Sequence, residues 1–304
     1  MTKEEIFSQS LKELQNSRFE KILESKNYVK STYSNKEILN LANKLGELKI
    51  LLAKTNDNKV KDEINLTKRE LLNKLTENGY DINKIFPKFN CPICEDKGII
   101  EDEKVCSCLK TIYLDNLLLH SQTNLDKYPL LDDIDLTKYS DIDSKNLLIK
   151  TLKKFICNKN PKINTILFTG ETGTGKTFIA KSFLKTLILD NNYGLFYDIN
   201  SLNKTFLDAH LDYEKRDKLL NDIYNCDVLV IDDLGSENIY KNVTKEYLLA
   251  LLNIRQSNNK LTLFTTNFTL NDIRNTYNER FFSRLLDKEI SFTYNFSGKD
   301  LRLN

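Results

Sequence analysis

The stretch LFTGETGTGKTFIAKS at 167–182 constrains the fold more than any other part of this 304-residue chain. An apolar run enters a turn holding three glycines and leaves it through Gly-Lys-Thr into a second apolar run. The pattern G-x-x-x-x-G-K-[ST] at Gly170–Thr177 works between a strand and a helix, where the glycines let backbone amides converge on phosphate oxygens. Lys176 adds a point charge for the β and γ oxygens, and Thr177 a hydroxyl for magnesium. Gly170, Glu171, Thr172, Gly173, Thr174, Gly175, Lys176 and Thr177 are therefore candidate nucleotide-binding residues.

The sequence around this cradle alternates short β-rich runs with helical stretches. NTILFTG (164–170), GLFYDI (194–199), DVLVIDD (227–233), LTLFTTN (261–267) and EISFTYNF (289–296) show little polar alternation. Strands apolar on both faces belong to a parallel sheet covered on both sides, and helices expected at 177–190, 201–221, 244–258 and 278–287 supply the crossovers. The expected architecture is a doubly wound α/β domain.

A magnesium site needs a second acid at the end of another buried strand. Asp232 follows the apolar run VLVI and fills that role, and the adjacent Asp233 is placed to orient and deprotonate an attacking water. Asp232-Asp-Leu-Gly235 also fits the D-x-x-G of GTPases, but no N-K-x-D guanine reader follows the cradle, so ATP is the expected nucleotide. Asn267, at the C-terminal end of its strand, is either a γ-phosphate-side polar group or a turn asparagine. Arg280 and Arg284 stand one helical turn apart in NERFFSRLLDKE. They are either a solvated pair or residues that reach a neighbouring subunit's phosphate.

The first half of the chain reads differently. Residues 1–86 hold no proline, and Ile38, Ala42, Leu45, Leu48 and Leu52, then Val60, Ile64, Thr67, Leu71 and Leu75, recur at helical spacings, predicting a two-helix hairpin. Cys91-Pro-Ile-Cys94 and Cys106-Ser-Cys108 are separated by eleven residues. Two thiolate pairs brought together by a hairpin form the S₄ shell that Zn²⁺ accepts, with an iron–sulfur cluster as the alternative occupant. His120 is a possible substitute ligand, and Cys157 and Cys226 read as core residues. Residues 121–145, polar and acidic around Pro129, read as a linker between 1–120 and 146–304. Balanced charges, 45 basic against 43 acidic, do not announce a nucleic-acid protein. Lys204, Lys215, Arg216 and Lys218 beside Phe206 and Tyr213 suit single strands, yet five acids share the segment and fit a solvated helix. No run of ~20 apolar residues and no signal segment is present, so a soluble, cytoplasmic protein is expected.

The ordered set of cradle, VLVIDDLG, TTN and ERFFSRL over about 146–304 resembles the AAA+ branch of the P-loop ATPases. Within that branch it is similar to the bacterial replicative helicase loaders of the DnaC/DnaI type and to the IstB-like helper ATPases of transposition. The zinc-type cysteine cluster in a helical N-terminal region favours the loaders. The resemblance implies an AAA+ core without the helical lid of many relatives, sensor 1 at Asn267, an arginine finger at Arg284 and a candidate second sensor at Arg302. It further implies ATP, Mg²⁺ and Zn²⁺ as cofactors, a hexameric DnaB-type helicase bound through residues 1–120, single-stranded DNA, and self-association through the ATPase domain. The alternatives are a transposition helper on duplex DNA and a zinc adaptor that does not hydrolyse its nucleotide.

Overall fold

The computed structural model describes residues 2–157 and 162–302, the side chain of Cys157 excepted, so the core reading of Cys157 lies outside the described residues. The chain divides into two compact units, residues 1–7 with 112–304, and residues 8–111.

Residues 8–111 are helical. A long helix, α1 (Lys3–Thr32), precedes α2 (Lys36–Thr55) and α3 (Asn58–Glu77), which are the two-helix hairpin that the spacing predicts. The long first helix has no sharp apolar stripe, which is why spacing alone did not reveal it. α2 and α3 are capped by Asn35 and Asp57 and share the cross-pairs Lys44–Glu63 and Lys74–Glu37. Ile38, Leu48, Ile64 and Leu75 are buried, as the periodicity required. α4 (Ser107–Leu119) follows the cysteine segment.

The larger unit is built on five parallel strands, β1 (Thr165–Gly170), β2 (Gly194–Asp198), β3 (Val228–Leu234), β4 (Leu261–Thr266) and β5 (Ser291–Phe296), in the order β2-β3-β4-β1-β5. Ile166, Leu167, Phe168, Leu229, Val230, Ile231, Leu263 and Phe264 are wholly buried, as expected of strands covered on both faces, whereas the edge strand β5 departs from that expectation, with Thr293 and Asn295 exposed. α5 (Ile142–Cys157) precedes β1, and α6 (Lys176–Leu189) leads to β2. The single helix expected at 201–221 is two, α7 (Ile199–Leu211) and α8 (Arg216–Asn225). Asp212 breaks it by accepting the Lys215 amide at 3.2 Å, a local turn that competes with the helix. α9 (Thr244–Ser257) leads to β4. An unanticipated α10 (Leu270–Thr276), started by a Thr269–Asp272 capping box, precedes α11 (Glu279–Leu285), which is shorter than the 278–287 expected.

Residues 121–145, read above as a linker, contribute Leu125, Leu131, Ile134 and Tyr139 to the core of the larger unit. The Phe196 amide donates to Ser121 O at 2.8 Å, and Lys185 Nζ donates to Tyr128 O at 2.8 Å. Two buried cations brace the same unit. Lys145 is 1% exposed among Tyr139, Tyr294 and Phe296, its Nζ 4.4 Å from the Phe296 ring. Arg255 of α9 is fully buried against the sheet, its side chain donating to Thr262 Oγ1 of β4 and to Cys226 O just before β3.

Candidate functional site

The phosphate cradle follows β1, where the backbone turns too tightly for side chains. Gly170 (φ +132°) has Phe296 O 2.1 Å from where a Cβ would stand, and Gly175 (φ +93°) has the Tyr139 hydroxyl 2.7 Å from its own. Lys176 Nζ donates to Gly170 O and Glu171 O, both at 2.7 Å, and to Asn267 Oδ1 at 2.9 Å. Burial lowers the Lys176 pKa, and the nearby Asp233 and Asp232 oppose that shift.

Asp232 Oδ1 accepts from Thr177 Oγ1 at 2.8 Å and from Thr265 Oγ1 at 2.6 Å. Burial pushes its carboxyl up, against the pull of those two hydroxyls. Successive strand residues ordinarily face opposite sides of a sheet. Here the pairing of β3 with β4 shifts register between Ile231 and Leu234, and Asp233 takes a left-handed conformation (φ +63°). The bulge lets both carboxylates line one cleft. The Asp233 amide donates to Thr265 Oγ1 at 2.9 Å, and Asn267 Nδ2 donates to Asp233 Oδ1 at 2.7 Å. Thr265 therefore orients both acids, a role that its place inside an apolar strand did not advertise.

The cleft measures about 900 Å³. Tyr128, Pro129 and Tyr139 line it from the 121–145 segment, and Leu301 and Arg302 line it from the chain after β5. The Leu301 amide donates to Gly173 O at 3.0 Å, holding that tail on the cradle. The structure thus brings together Lys176, Thr177, Asp232, Asp233, Asn267 and Arg302. It does not bring in Arg284, which lines a separate depression with Arg280, Asn253 and Asp287.

The four cysteines form their own site. The turn Gly98–Cys106, with Ile99 bridged to Val105 and the Cys106 amide donating to Gly98 O at 2.9 Å, folds the second pair onto the first. All four Sγ atoms lie within 4.8 Å of one another, with Cys91–Cys106 at 3.7 Å and Cys94–Cys108 at 3.4 Å. A tetrahedral zinc with Zn–S near 2.3 Å places its sulfurs about 3.8 Å apart, so this donor set fits the ion. The Cys94 amide pulls the Cys91 thiol down to about 7, while burial pushes Cys108 up. Asp96 fixes the knuckle, accepting from the Cys91 amide at 2.7 Å, the Asn90 amide at 2.9 Å and Lys21 Nζ at 2.8 Å. His120 is not part of the cluster.

Between α7 and α8 the expected aromatic pair separates. Phe206 is buried, whereas Tyr213 is 79% exposed beneath the Arg216 guanidinium at 4.9 Å. Cys226 is buried, as expected. Among the described residues no helix is long and apolar enough to cross a membrane.

Comparison with known proteins gives the site a family. The replicative helicase loader DnaI of Bacillus subtilis is 23% identical over 209 residues, 68% of this chain and 62% of its own. The replicative helicase loader DnaC of Escherichia coli K12 is 25% identical over 136 residues, 44% of this chain and 54% of its own. The chain thus spans only part, just over half to about three fifths, of the curated relatives it matches. Among solved structures, that of the DnaC helicase loader is 28% identical, with TM-score 0.45, over 58% of this chain and 97% of that one. The model for the family described as IstB-like ATP binding protein matches residues 111–292, the segment that carries the cradle, both carboxylates and Asn267, and the chain belongs to this IstB-like ATP-binding family.

Proposed function

We propose that the chain hydrolyses ATP and uses the cycle to load a replicative helicase. The loader reading is carried by the DnaI match, which takes in more residues of this chain than the whole IstB-like segment. The IstB-like segment alone fits a transposition helper equally well.

The hydrolytic reading rests on the arrangement around Asn267. Cradle amides and Lys176 bind the phosphates. Thr177 and Asp232 would hold magnesium, which when bound neutralises the phosphate charge. Asp233, aimed by Asn267 and Thr265, orients the attacking water and takes its proton. Arg284, outside its own chain's cleft, acts on a neighbour's phosphate in a self-associated loader, where it stabilises the charge of the transition state.

The remaining assignments follow the same reading. Cys91, Cys94, Cys106 and Cys108 hold zinc and fold the segment around them. Residues 1–120 bind the helicase, and 146–304 form the ATPase domain, to whose core 121–145 contribute. Exposed Tyr213, with Arg216 over its ring, offers a stacking platform for single-stranded DNA. The test is capture of a DnaB-type helicase or of a transposase from the same source by the immobilised full-length chain, with and without ATP, beside steady-state phosphate release. Helicase capture with DNA-stimulated turnover supports the reading. Capture of a transposase in its place favours the transposition helper, and capture without turnover favours the non-hydrolysing adaptor.

A further inference from the structure

A buried carboxylate that takes no part in the proposed hydrolysis joins the β3 end of the cleft to the helix that carries the arginines. Glu237 is 7% exposed. Its Oε2 accepts from the Gly235 amide at 2.8 Å, and its Oε1 accepts from the Tyr277 hydroxyl. A carboxylate withdrawn from water this far is tolerated only when hydrogen-bonded, and each oxygen here has a donor on a different element.

Both ends of this bridge lead somewhere. Gly235 (φ +105°) is packed beneath the Phe268 ring, 2.6 Å from where a Cβ would stand, so neither group moves without the other. Phe268 directly follows Asn267, whose amide holds Lys176 and Asp233. At the other end, Tyr277 packs its ring 5.1 Å from that of Phe281, which meets Phe264 of β4 edge-on at 6.2 Å. Phe281 belongs to α11, the seven-residue helix of Arg280 and Arg284, and the next residue after Tyr277, Asn278, caps that helix at the Phe281 amide.

We infer that Glu237 and Tyr277 are positioning residues that carry the state of the Asp233–Asn267 end of the cleft to α11 and so set the arginines that serve a neighbouring chain. The inference deepens the ATPase reading proposed above and rests on it. When a γ-phosphate engages Lys176 and Asn267, Phe268 and Gly235 move as one packed unit. Glu237 follows the Gly235 amide, Tyr277 follows Glu237, and a helix of two turns has little length over which to absorb the displacement.

The test uses full-length Tyr277→Phe, which keeps the ring and removes the hydroxyl, and Glu237→Gln, which keeps the shape. Both are expected to bind a fluorescent ATP analogue within about twofold of wild type and to turn ATP over at least about fivefold more slowly. Mixing experiments separate this from a fault in the chain's own site. Tyr277→Phe mixed with Asp233→Asn should regain turnover, because the second chain binds ATP without hydrolysing it and so donates an arginine that its own γ-phosphate has set. Tyr277→Phe mixed with Arg284→Ala should not, because neither donates one. The opposite pattern, or wild-type turnover in both single variants, overturns the inference.

If Arg284→Ala with Asp233→Asn also fails to recover, the intersubunit reading fails independently, and coupling inside one chain is decided by hydrogen exchange. A non-hydrolysable ATP analogue should then alter amide exchange over residues 277–285 in wild type and at least about threefold less in Tyr277→Phe. Equal responses in the two proteins overturn the coupling, and they do so whether or not the wild type hydrolyses ATP.

Discussion

Asn267 Nδ2 donates to Asp233 Oδ1 at 2.7 Å, fastening the end of β4 to the bulged end of β3. This bond fixes the second carboxylate toward the cleft without using the first. Asp233→Asn should therefore bind ATP within a few fold of wild type while its turnover falls at least about tenfold. Asn267→Ala should show the same split, since it frees both Asp233 and Lys176. Nucleotide titration and phosphate release measured on the same samples check both, and normal turnover in Asp233→Asn removes that residue from the mechanism.

The cysteine shell should carry one zinc per chain. Elemental analysis of the purified protein reads this directly, and iron in place of zinc identifies the other occupant that thiolates accept. Cys94→Ser should release the metal and loosen residues 91–108, measured as faster amide exchange there, while ATP binding is retained. Four freely titrating thiols in metal-free, fully folded protein would sink the metal assignment.

Arg255 fills the space between α8, α9 and the sheet with donors. Nε reaches Thr262 Oγ1 at 2.8 Å, Nη1 reaches Ile223 O and Cys226 O at 2.9 Å, and Nη2 reaches Leu261 O at 2.6 Å. Arg255→Met keeps much of the volume but strands these acceptors without water, at a cost of about 3 kcal/mol. Denaturant melts of the two proteins measure it. A loss below about 1 kcal/mol would show that the carbonyls find other partners.

Asp227 gives a pH-dependent contribution of definite sign. Burial raises its pKa, but Lys260 at 2.8 Å, the Tyr193 amide at 3.0 Å and Lys3 at 3.4 Å outweigh it and hold the carboxyl below its ordinary value. A folded pKa beneath the unfolded one, about 3.9, contributes stability above the unfolded value that disappears as pH falls through the folded one. Asp227→Asn should therefore be less stable than wild type by about 1–2 kcal/mol at pH 7. The gap should close below about pH 4, as thermal melts across that range would register. A constant gap from pH 7 to pH 3 is incompatible with this account.

What the sequence disclosed and what it hid divide along one physical line. The cradle, the apolar strands and the cysteine spacing are local patterns, and the parallel sheet and the thiol cluster follow from them. The bulge that turns Asp233 beside Asp232 depends on pairing with β4, thirty residues onward, and no local signal announces it. Glu237 stands in a polar run, GSENIY, that reads as a surface loop, yet its partners fold over it from both sides. Residues 121–145 look like a linker because their apolar residues lie too far apart to show a period. They join the core one anchor at a time, through Leu125, Leu131, Ile134 and Tyr139. Arg284 was legible as an arginine on a helix face, but no local pattern told that it lies outside the cleft, in a depression with Arg280, Asn253 and Asp287.

The order of the strands also sets a length. β1 and β3 are not neighbours, because β4 lies between them, so the cradle and the carboxylate-bearing strand are two strand spacings apart, about 9–10 Å. Thr265 and Asn267 stand at the end of β4, bonded to Asp232 and to Lys176, so on the proposed ATPase reading a diphosphate is expected to rest on the cradle and a third phosphate to come abreast of β4. On that reading the sheet would act as a gauge, with β4 as the graduation that separates triphosphate from diphosphate. ATP and ADP should accordingly protect the cradle amides alike and differ at residues 265–268, a contrast that amide exchange can read.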